Sequence, residues 1–320
     1  MSLSTPSSIG YFHTPVLVEE VVEYLITNAK GIYVDCTVGG GGHAEAVLNK
    51  LKKQATYYAI DRDKDALSYA RERLHKFRDQ IVLIQGEFGN IDSILKKEGV
   101  SYVDGVLMDL GVSSYQIDTP ERGFSYRHSG PLDMRMDRTQ KMTAEYIVNN
   151  YSEPRLADIF YYYGEEWNSR RIAEIIIKRR KKSPIRTTTD LEGIIRENTS
   201  RKYQVKVLSR IWQSLRAEVN SEYDQLKNAL IKIYPFLKEG ARIVVISWES
   251  LSDRMVKRYL KGQSLQFSRY SEVTHDTGFN FNILTKKVIK PSQEEIRQNP
   301  RAKSAKMRVG MKLKSQRDSE

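Results

Sequence analysis

Among the 320 residues cysteine occurs once, at Cys36. That excludes an internal disulfide framework and a cysteine-based zinc site; no metal site is expected, and a reducing, cytoplasmic setting suits such usage. No apolar run approaches the ~18–20 residues of a membrane span. The opening residues, MSLSTPSSIGYFHTP, lack an apolar signal core and an arginine-rich amphipathic character, so neither secretion nor organelle import is expected. Missing, too, is the Lys-Ser/Thr pair that completes a phosphate-binding loop: the glycine run Gly39–Gly42 is followed by His43 instead. Acidic residues are scarce in one stretch. Between Trp167 and Ala217 fourteen Lys/Arg face four acids, so a surplus of ten from a net charge of +12 falls there. So local an excess points to a polyanionic partner, most directly nucleic acid.

What is present divides the chain into two patterns. From Gly31 to Gly111 the β-rich runs "IYVDCTV", "TYYAID", "IVLIQGEF" and "VDGVLMDL" alternate with helical stretches at 43–53, 64–77 and 90–98. Near-continuous apolar strands spaced by helices predict a parallel sheet covered on both faces. The pattern resumes at about 218 with one long helix, "EVNSEYDQLKNALIKIYPFL". A Gly240 stop, the strand "ARIVVISW" and the helix "SDRMVKRYLK" follow, and late β-rich runs around 266–274 and 279–289 close the sheet. Between about 115 and 212 helical periodicity takes over. Thr143 reads as an N-cap, Pro154 as a helix start, and Ile172, Ile175 and Ile176 share a helix face, with the basic run Lys178–Lys182 at that helix's C-terminal end. The expected organisation is an α/β domain in two parts, 1–114 and 213–290, an inserted all-helical domain at 115–212, and a polar, basic tail at 291–320 that is extended or partly disordered.

Three features carry chemistry. The segment Gly39–Ala44 satisfies the loose pattern G-x-G-x-x-G/A after a strand, and Asp61 ends the second strand where such folds place an acid on a ribose hydroxyl pair. NAD and S-adenosylmethionine fit these two features equally. The fourth strand then ends in "LMDLGVSS", placing Asp109 at the ligand-facing edge beside a small-residue turn, where amino-directed methyltransferases keep an acid or amide for the target amine. A sulfonium cofactor also accounts for the missing lysine, because its reactive end carries no phosphate. Next comes "DTPERGFSYRHSGPLDMRMD", residues 118–137, whose Arg122, Arg127 and Arg135 suit phosphates while Phe124 and Tyr126 suit an unpaired base; an internal Asp133–Arg135 pairing is the competing reading. His128 and His275 stand isolated and receive no catalytic role. Tyr161, Tyr162, Tyr163 and Trp167 are expected to pack on helices.

The blocks "DCTVGGGGH", "AIDRD", "DLGVSS" and "ERGFSYRHSGPLDMRMD" resemble the bacterial small-subunit ribosomal RNA methyltransferase H family, from His13-Thr14-Pro15-Val16-Leu17 to "NPRAKSAKMR". The resemblance implies a Rossmann-like class I methyltransferase domain with an all-helical insertion, which uses S-adenosylmethionine to methylate N4 of a decoding-centre cytidine. It implies a cofactor site at Gly41, Gly42, His43, Asp61, Phe88, Asp109 and Gln116, with Asp109 also the catalytic residue. The implied partner is small-subunit ribosomal RNA, within an assembled subunit. Two blocks depart from the family pattern: Tyr115 stands where proline is usual, and "SWESLSDR" replaces Ser-Phe-His-Ser-Leu-Glu-Asp-Arg at Trp248, Glu249 and Ser252. Because that block ends the fifth strand, Trp248 joins the candidate RNA contacts.

Overall fold

The computed structural model describes residues 15–265 and 278–314. The chain forms two compact units, one of residues 1–111 and 224–320, the other of residues 112–223.

The first unit is built on a seven-stranded sheet: β1 (Ile32–Asp35), β2 (Thr56–Asp61), β3 (Ile81–Gln85), β4 (Val103–Asp109), β5 (Leu237–Ser247), β6 (Phe281–Ile283) and β7 (Lys306–Lys312). The order is β3-β2-β1-β4-β5-β7-β6. β1 to β5 pair in parallel, whereas β7 runs antiparallel to both β5 and β6. Apolar runs with crossover helices produce this arrangement, because parallel strands joined by helices must be covered on both faces. The helices of the first half are α1 (Val18–Leu25), α2 (Gly42–Leu48), α3 (Lys64–Arg73) and α4 (Ile91–Lys97). Val21, Leu25, Val47, Leu67 and Ala70 from these helices join Tyr33, Tyr57, Leu107, Val244 and Ile246 from the strands in one buried cluster.

The second unit holds α5 (Ser114–Asp118), α6 (Ala144–Asn150), α7 (Glu153–Tyr162), α8 (Ser169–Arg180), α9 (Thr188–Glu197) and α10 (Gln204–Asn220). The caps are where the residue types place them. Thr143 accepts from the Tyr146 amide, and Ser152 caps the helix that begins with Glu153-Pro154. Ile172 and Ile176 enter a core with Leu156, Phe160, Leu191, Ile194, Leu208, Ile211 and Leu215, and Ile175 packs at its margin. The chain continues through α11 (Glu222–Ile233), and α12 (Ser250–Leu260) and α13 (Gln293–Gln298) follow in the first unit. Among the described residues no helix is long and apolar enough to cross a membrane.

Four sequence expectations are corrected. The single helix over 218–237 is two, because Ser221 takes a left-handed conformation (φ 50°) and ends α10. β5 starts at Leu237, ahead of Gly240: the register jumps from Val103↔Leu237 to Gly105↔Arg242, and Gly240 (φ +77°) lies among the extra residues. The tail after Pro291 is ordered into α13, a 3₁₀ turn at Pro300–Ser304 and the inner strand β7, where Met307 and Val309 are fully buried. Trp167 lies in the turn between α7 and α8 and is 78% exposed rather than packed in the core, with its ring edge-on to that of Tyr161, centroids 5.7 Å apart. The run at 266–274 and His275 lie outside the described residues.

Candidate active site

Three neighbouring strands of the first unit end in aspartate: β2 in Asp61, β1 in Asp35 and β4 in Asp109. In an open α/β sheet the ligand crevice lies beyond these carboxyl ends. Here the turn from β1 into α2 crosses them. Its backbone is tied down on both sides, with the Cys36 amide on Leu107 O, the Val38 amide on Ile60 O and the Gly39 amide on Asp61 Oδ2 at 2.9 Å. Gly41 is left-handed (φ +78°), and a Cβ there would lie 3.0 Å from Leu74 Cδ1; one on Gly42 would lie 2.8 Å from Pro15 Cγ. The bareness of these two glycines therefore serves close packing of the loop against α3 and against the segment entering α1. Gly39 differs: a Cβ there would find only Thr37 O, at 3.9 Å, so that flank is open.

Asp109 is held through both its backbone and its carboxylate. Its backbone amide donates to Thr37 Oγ1 at 2.7 Å, and Trp248 Nε1 donates to its Oδ1 at 3.0 Å. Its Oδ2 faces His43 Nδ1 at 3.6 Å, an electrostatic contact longer than a hydrogen bond. The far side of that imidazole is fixed, with Nε2 2.8 Å from the Val16 carbonyl. A carbonyl only accepts, so Nε2 carries the hydrogen and Nδ1 is the atom turned to Asp109. His43 thus bridges the entry to α1 and the end of β4.

Asp35 lies behind this pair, 1% exposed, and accepts from the Thr37 amide (3.0 Å) and the Tyr57 hydroxyl (3.1 Å). Burial pushes its carboxyl up to about 6, against the opposing pull of the Thr37 amide, of His43 and of Tyr57. Burial likewise pushes Asp61 up to about 6, offset by amide hydrogen bonds from Asp63, Gly39 and Arg62. The Cys36 thiol beside them is pushed well up by burial and the adjacent Asp35, which makes it an inert packing group.

The remaining sequence candidates fall in two places. Phe88, half-buried, opens the turn after β3, which is anchored by the Arg62–Glu87 ion pair (2.7 Å) and by the Gly89 amide on Gln225 Oε1 (2.8 Å). Gln116 belongs to the second unit, where it closes a capping box with Ser113 at the start of α5 and is buried. Also in that unit, Arg122 is 2% exposed and donates to the carbonyls of Arg135 and Met136. Arg135 forms a two-point pair with Asp133 (2.7 and 2.8 Å) and donates to the Arg138 and Gln140 carbonyls. Phe124 is buried in the helical core, and the Tyr126 ring stands edge-on to Trp212 at 5.6 Å. Of the five loop residues expected to face RNA, Arg122, Phe124 and Arg135 are therefore engaged inside their own unit, and Arg127 is the exposed one. Trp248, expected among the RNA contacts, is instead the donor to Asp109. Glu249 caps α12 by accepting from the amide and hydroxyl of Ser252. Two of the three substituted positions in that block, Glu249 and Ser252, therefore form one local capping pair.

Sequence reading missed Asp35, Thr37 and the Val16 carbonyl. Asp35 carried the signal that found Asp61 and Asp109, an acid closing an apolar run.

A parallel sheet with an antiparallel last strand, a bare strand-to-helix turn, an acid on the neighbouring strand and a held carboxylate at β4 define the class I methyltransferase architecture. The chain belongs to the MraW methylase family, whose model matches residues 10–313. A ribosomal RNA small subunit methyltransferase H of Fusobacterium nucleatum subsp. nucleatum is 41% identical over 301 residues, covering 93% of this chain and 96% of that protein. Proteins of the same name from Caldicellulosiruptor saccharolyticus (44% over 307 residues, 95% of this chain and 100% of the relative) and Halothermothrix orenii (43% over 307 residues, 94% and 98%) are similarly related.

The residues present fit the methyl donor of this class, S-adenosylmethionine. The Asp61 carboxylate accepts from the Gly39 and Asp63 amides, and a carboxylate has about four acceptor sites, so accepting capacity remains for a ribose hydroxyl. The open flank of Gly39 lies beside it, joined to it by the Gly39 amide.

Proposed function

We propose that this methylase transfers a methyl group from S-adenosylmethionine to the exocyclic N4 of a cytidine in small-subunit ribosomal RNA, working on the assembled subunit in the cytoplasm. The names carried by its relatives support the RNA. The observation that carries the chemistry is the Asp109 carboxylate, held by Trp248 on a backbone tied to Thr37 and turned toward His43.

Asp61 binds the ribose hydroxyls, Phe88 flanks the base of the cofactor, and Gly41, Gly42 and His43 shape the wall on its methionyl side. Bound there, the cofactor supplies a methyl group on a positively charged sulfur. The cytosine amine is a poor nucleophile because its lone pair is delocalised into the ring. Asp109 accepts a hydrogen bond from an amine N–H, which favours a more pyramidal nitrogen and stabilises the positive charge that develops on it. As the N–C bond forms and the C–S bond breaks, Asp109 receives or relays the proton the nitrogen sheds. Positioning supplies much of the rate, since nitrogen and methyl carbon must be held in line at roughly 3–3.5 Å. The target base must be unstacked to reach such a site.

The test is mass spectrometry of nucleosides from small-subunit RNA with and without the protein, together with labelled-methyl transfer to small subunits, free RNA and DNA. N4-methylated cytidine should disappear without the protein, and small subunits should be the best acceptor. Asp109→Ala and Asp109→Asn should each lower kcat by about 100-fold or more, the scale for losing one oriented electrostatic group. Full turnover by Asp109→Ala would remove the role assigned to that carboxylate, and an unchanged nucleoside profile would remove the substrate.

A further inference from the structure

The fourteen cations between Trp167 and Ala217 are not equivalent. Arg171, Lys178, Arg179, Arg196, Arg210 and Arg216 each pair with a carboxylate, and Arg180 donates to the Val148 and Tyr151 carbonyls. The other seven are all exposed; three of them, Arg201, Lys202 and Lys206, fall within six residues, and among the described residues none of these three has a carboxylate partner. No acid occurs in the sequence from Asn198 to Ala217. Two large side chains stand out from the middle of these cations, Tyr203 at 53% exposure and Val205 at 61%. Lys202 Nζ lies 5.5 Å from the centre of the Tyr203 ring.

One helical turn further along α10, Ser209 is exposed and within hydrogen-bond distance of the Tyr126 hydroxyl (3.2 Å). That contact and the Tyr126–Trp212 ring pair anchor the 125–128 loop to α10, so exposed Arg127 follows directly on an anchored residue. Four exposed cations and one presented aromatic ring, with Lys202 directly beside it, thus belong to the helical unit, three of the cations at the start of α10 and the fourth on the loop anchored to that helix.

We infer that this face, Arg201, Lys202, Tyr203 and Lys206 on the start of α10 with Arg127 beside Tyr126, is a docking surface for an unpaired strand of ribosomal RNA. The inference rests on the function proposed above and names where in the helical unit the RNA strand binds. Cations gathered without carboxylates repel one another, and a polyanion relieves that repulsion by exchanging condensed counterions for protein contacts. An exposed tyrosine flanked by backbone-reading cations is the arrangement that binds a single strand, with the ring stacking a base and the cations following its phosphates. Arg122 and Arg135, spent on internal partners, have no part in it.

The test uses the full-length protein and small ribosomal subunits from cells that lack it, with binding measured over a series of salt concentrations. Combined Arg201→Gln, Lys202→Gln and Lys206→Gln should weaken binding about tenfold or more at physiological salt. It should also reduce the slope of log K against log salt by about 2, three phosphate contacts at ~0.7 each. KM for subunits should rise while kcat at saturation is kept. Tyr203→Leu should weaken binding at least about fivefold with the slope unchanged, and Tyr203→Phe, which keeps the ring, should bind as wild type. Thermal stability and cofactor affinity report that each variant is folded. Unaltered affinity and slope in the triple variant would overturn the inference. So would Tyr203→Leu binding as tightly as Tyr203→Phe, or a triple variant whose self-association changes while RNA binding does not, which would make the face a protein contact. If the wild-type protein methylates no small subunit, the function proposed above fails; if it does and the triple variant matches it in KM and slope, only this surface fails.

Discussion

Asp35→Asn should make the protein more stable and less active, with the gain in stability growing as pH rises. In the folded state burial holds the Asp35 carboxyl up to about 6, against 3.8 for an ordinary aspartate. The folded state therefore binds this proton more tightly than the unfolded chain does. Stability associated with the group is complete below pH ~4 and is lost as pH rises through the folded value. The full loss is about 3 kcal/mol above pH ~7, with about half of it already present at pH 5. An asparagine does not titrate, so it escapes that loss. It can still accept from the Thr37 amide, and its amide group can donate to the Tyr57 hydroxyl in place of the bond that Asp35 accepts. Urea unfolding of wild type and variant at pH 5, 6, 7 and 8 should show an advantage to the variant that widens by about 1.4 kcal/mol from pH 5 to 8. Methyl transfer should fall in the same variant, because the charge behind His43 and Asp109 is gone. An offset that stays flat with pH, or a variant less stable than wild type at pH 8, would refute the reasoning. A buried carboxylate that costs stability at neutral pH is the kind of group a site keeps for its chemistry.

Two further substitutions separate roles within the site and the loop. Trp248→Phe keeps an aromatic ring beside Gly111 but deletes the donor to Asp109 Oδ1; single-turnover methyl transfer should slow about tenfold, matching the ~1.5 kcal/mol of a hydrogen bond to a charged group. Calorimetric affinity for S-adenosylmethionine should stay at the wild-type value, and an unchanged transfer rate would dismiss the indole as a positioning group. Arg122→Gln should lower stability by about 2–3 kcal/mol in urea unfolding, since it leaves buried carbonyls without their charged donor, while the salt slope of RNA binding holds; a fall in that slope would return Arg122 to the RNA surface.

How far these features could be read from the residues depended on what kind of contact each one makes. Asp61 and Asp109 were legible because an acid closing an apolar strand leaves a visible mark. Asp35 bears the same mark, but Cys36, Thr37 and Val38 continue the β-rich run past it, so strand and turn look like one strand. The structure ends β1 at Asp35 and gives the next three residues to the turn. Arg122 and Arg135 read as nucleic-acid ligands because charge is visible in a sequence and a backbone carbonyl partner is not. The helical insertion was legible in its caps and in the 172–176 spacing, yet the break at Ser221 was not, since a left-handed serine looks like any other helical serine. β7 does alternate, with Lys306 and Arg308 against buried Met307 and Val309, but its partner β5 lies some sixty residues earlier in the chain and no local signal links them. Trp248 was placed near the crevice by its position after β5; its hydrogen bond to Asp109 depends on side-chain direction, which spacing does not supply.

The position of β7 also affects how the molecule is made. β5 is eleven residues long and largely buried, and its outer edge pairs with nothing in the sheet except β7. Until residues 306–312 have been synthesised, that edge is a long, apolar ladder of unpaired amides and carbonyls, the kind of template on which two chains join. The Leu17 amide waits even longer in chain terms, for Glu295 Oε1, 278 residues away (2.7 Å), and Leu17 adjoins the Val16 carbonyl that orients His43. A chain cut between β5 and α13 therefore loses more than a tail. It keeps every residue of the glycine turn and all three strand-end aspartates, yet carries an open sheet edge and lacks the partner of Leu17, so truncated chains should aggregate before they fail to methylate.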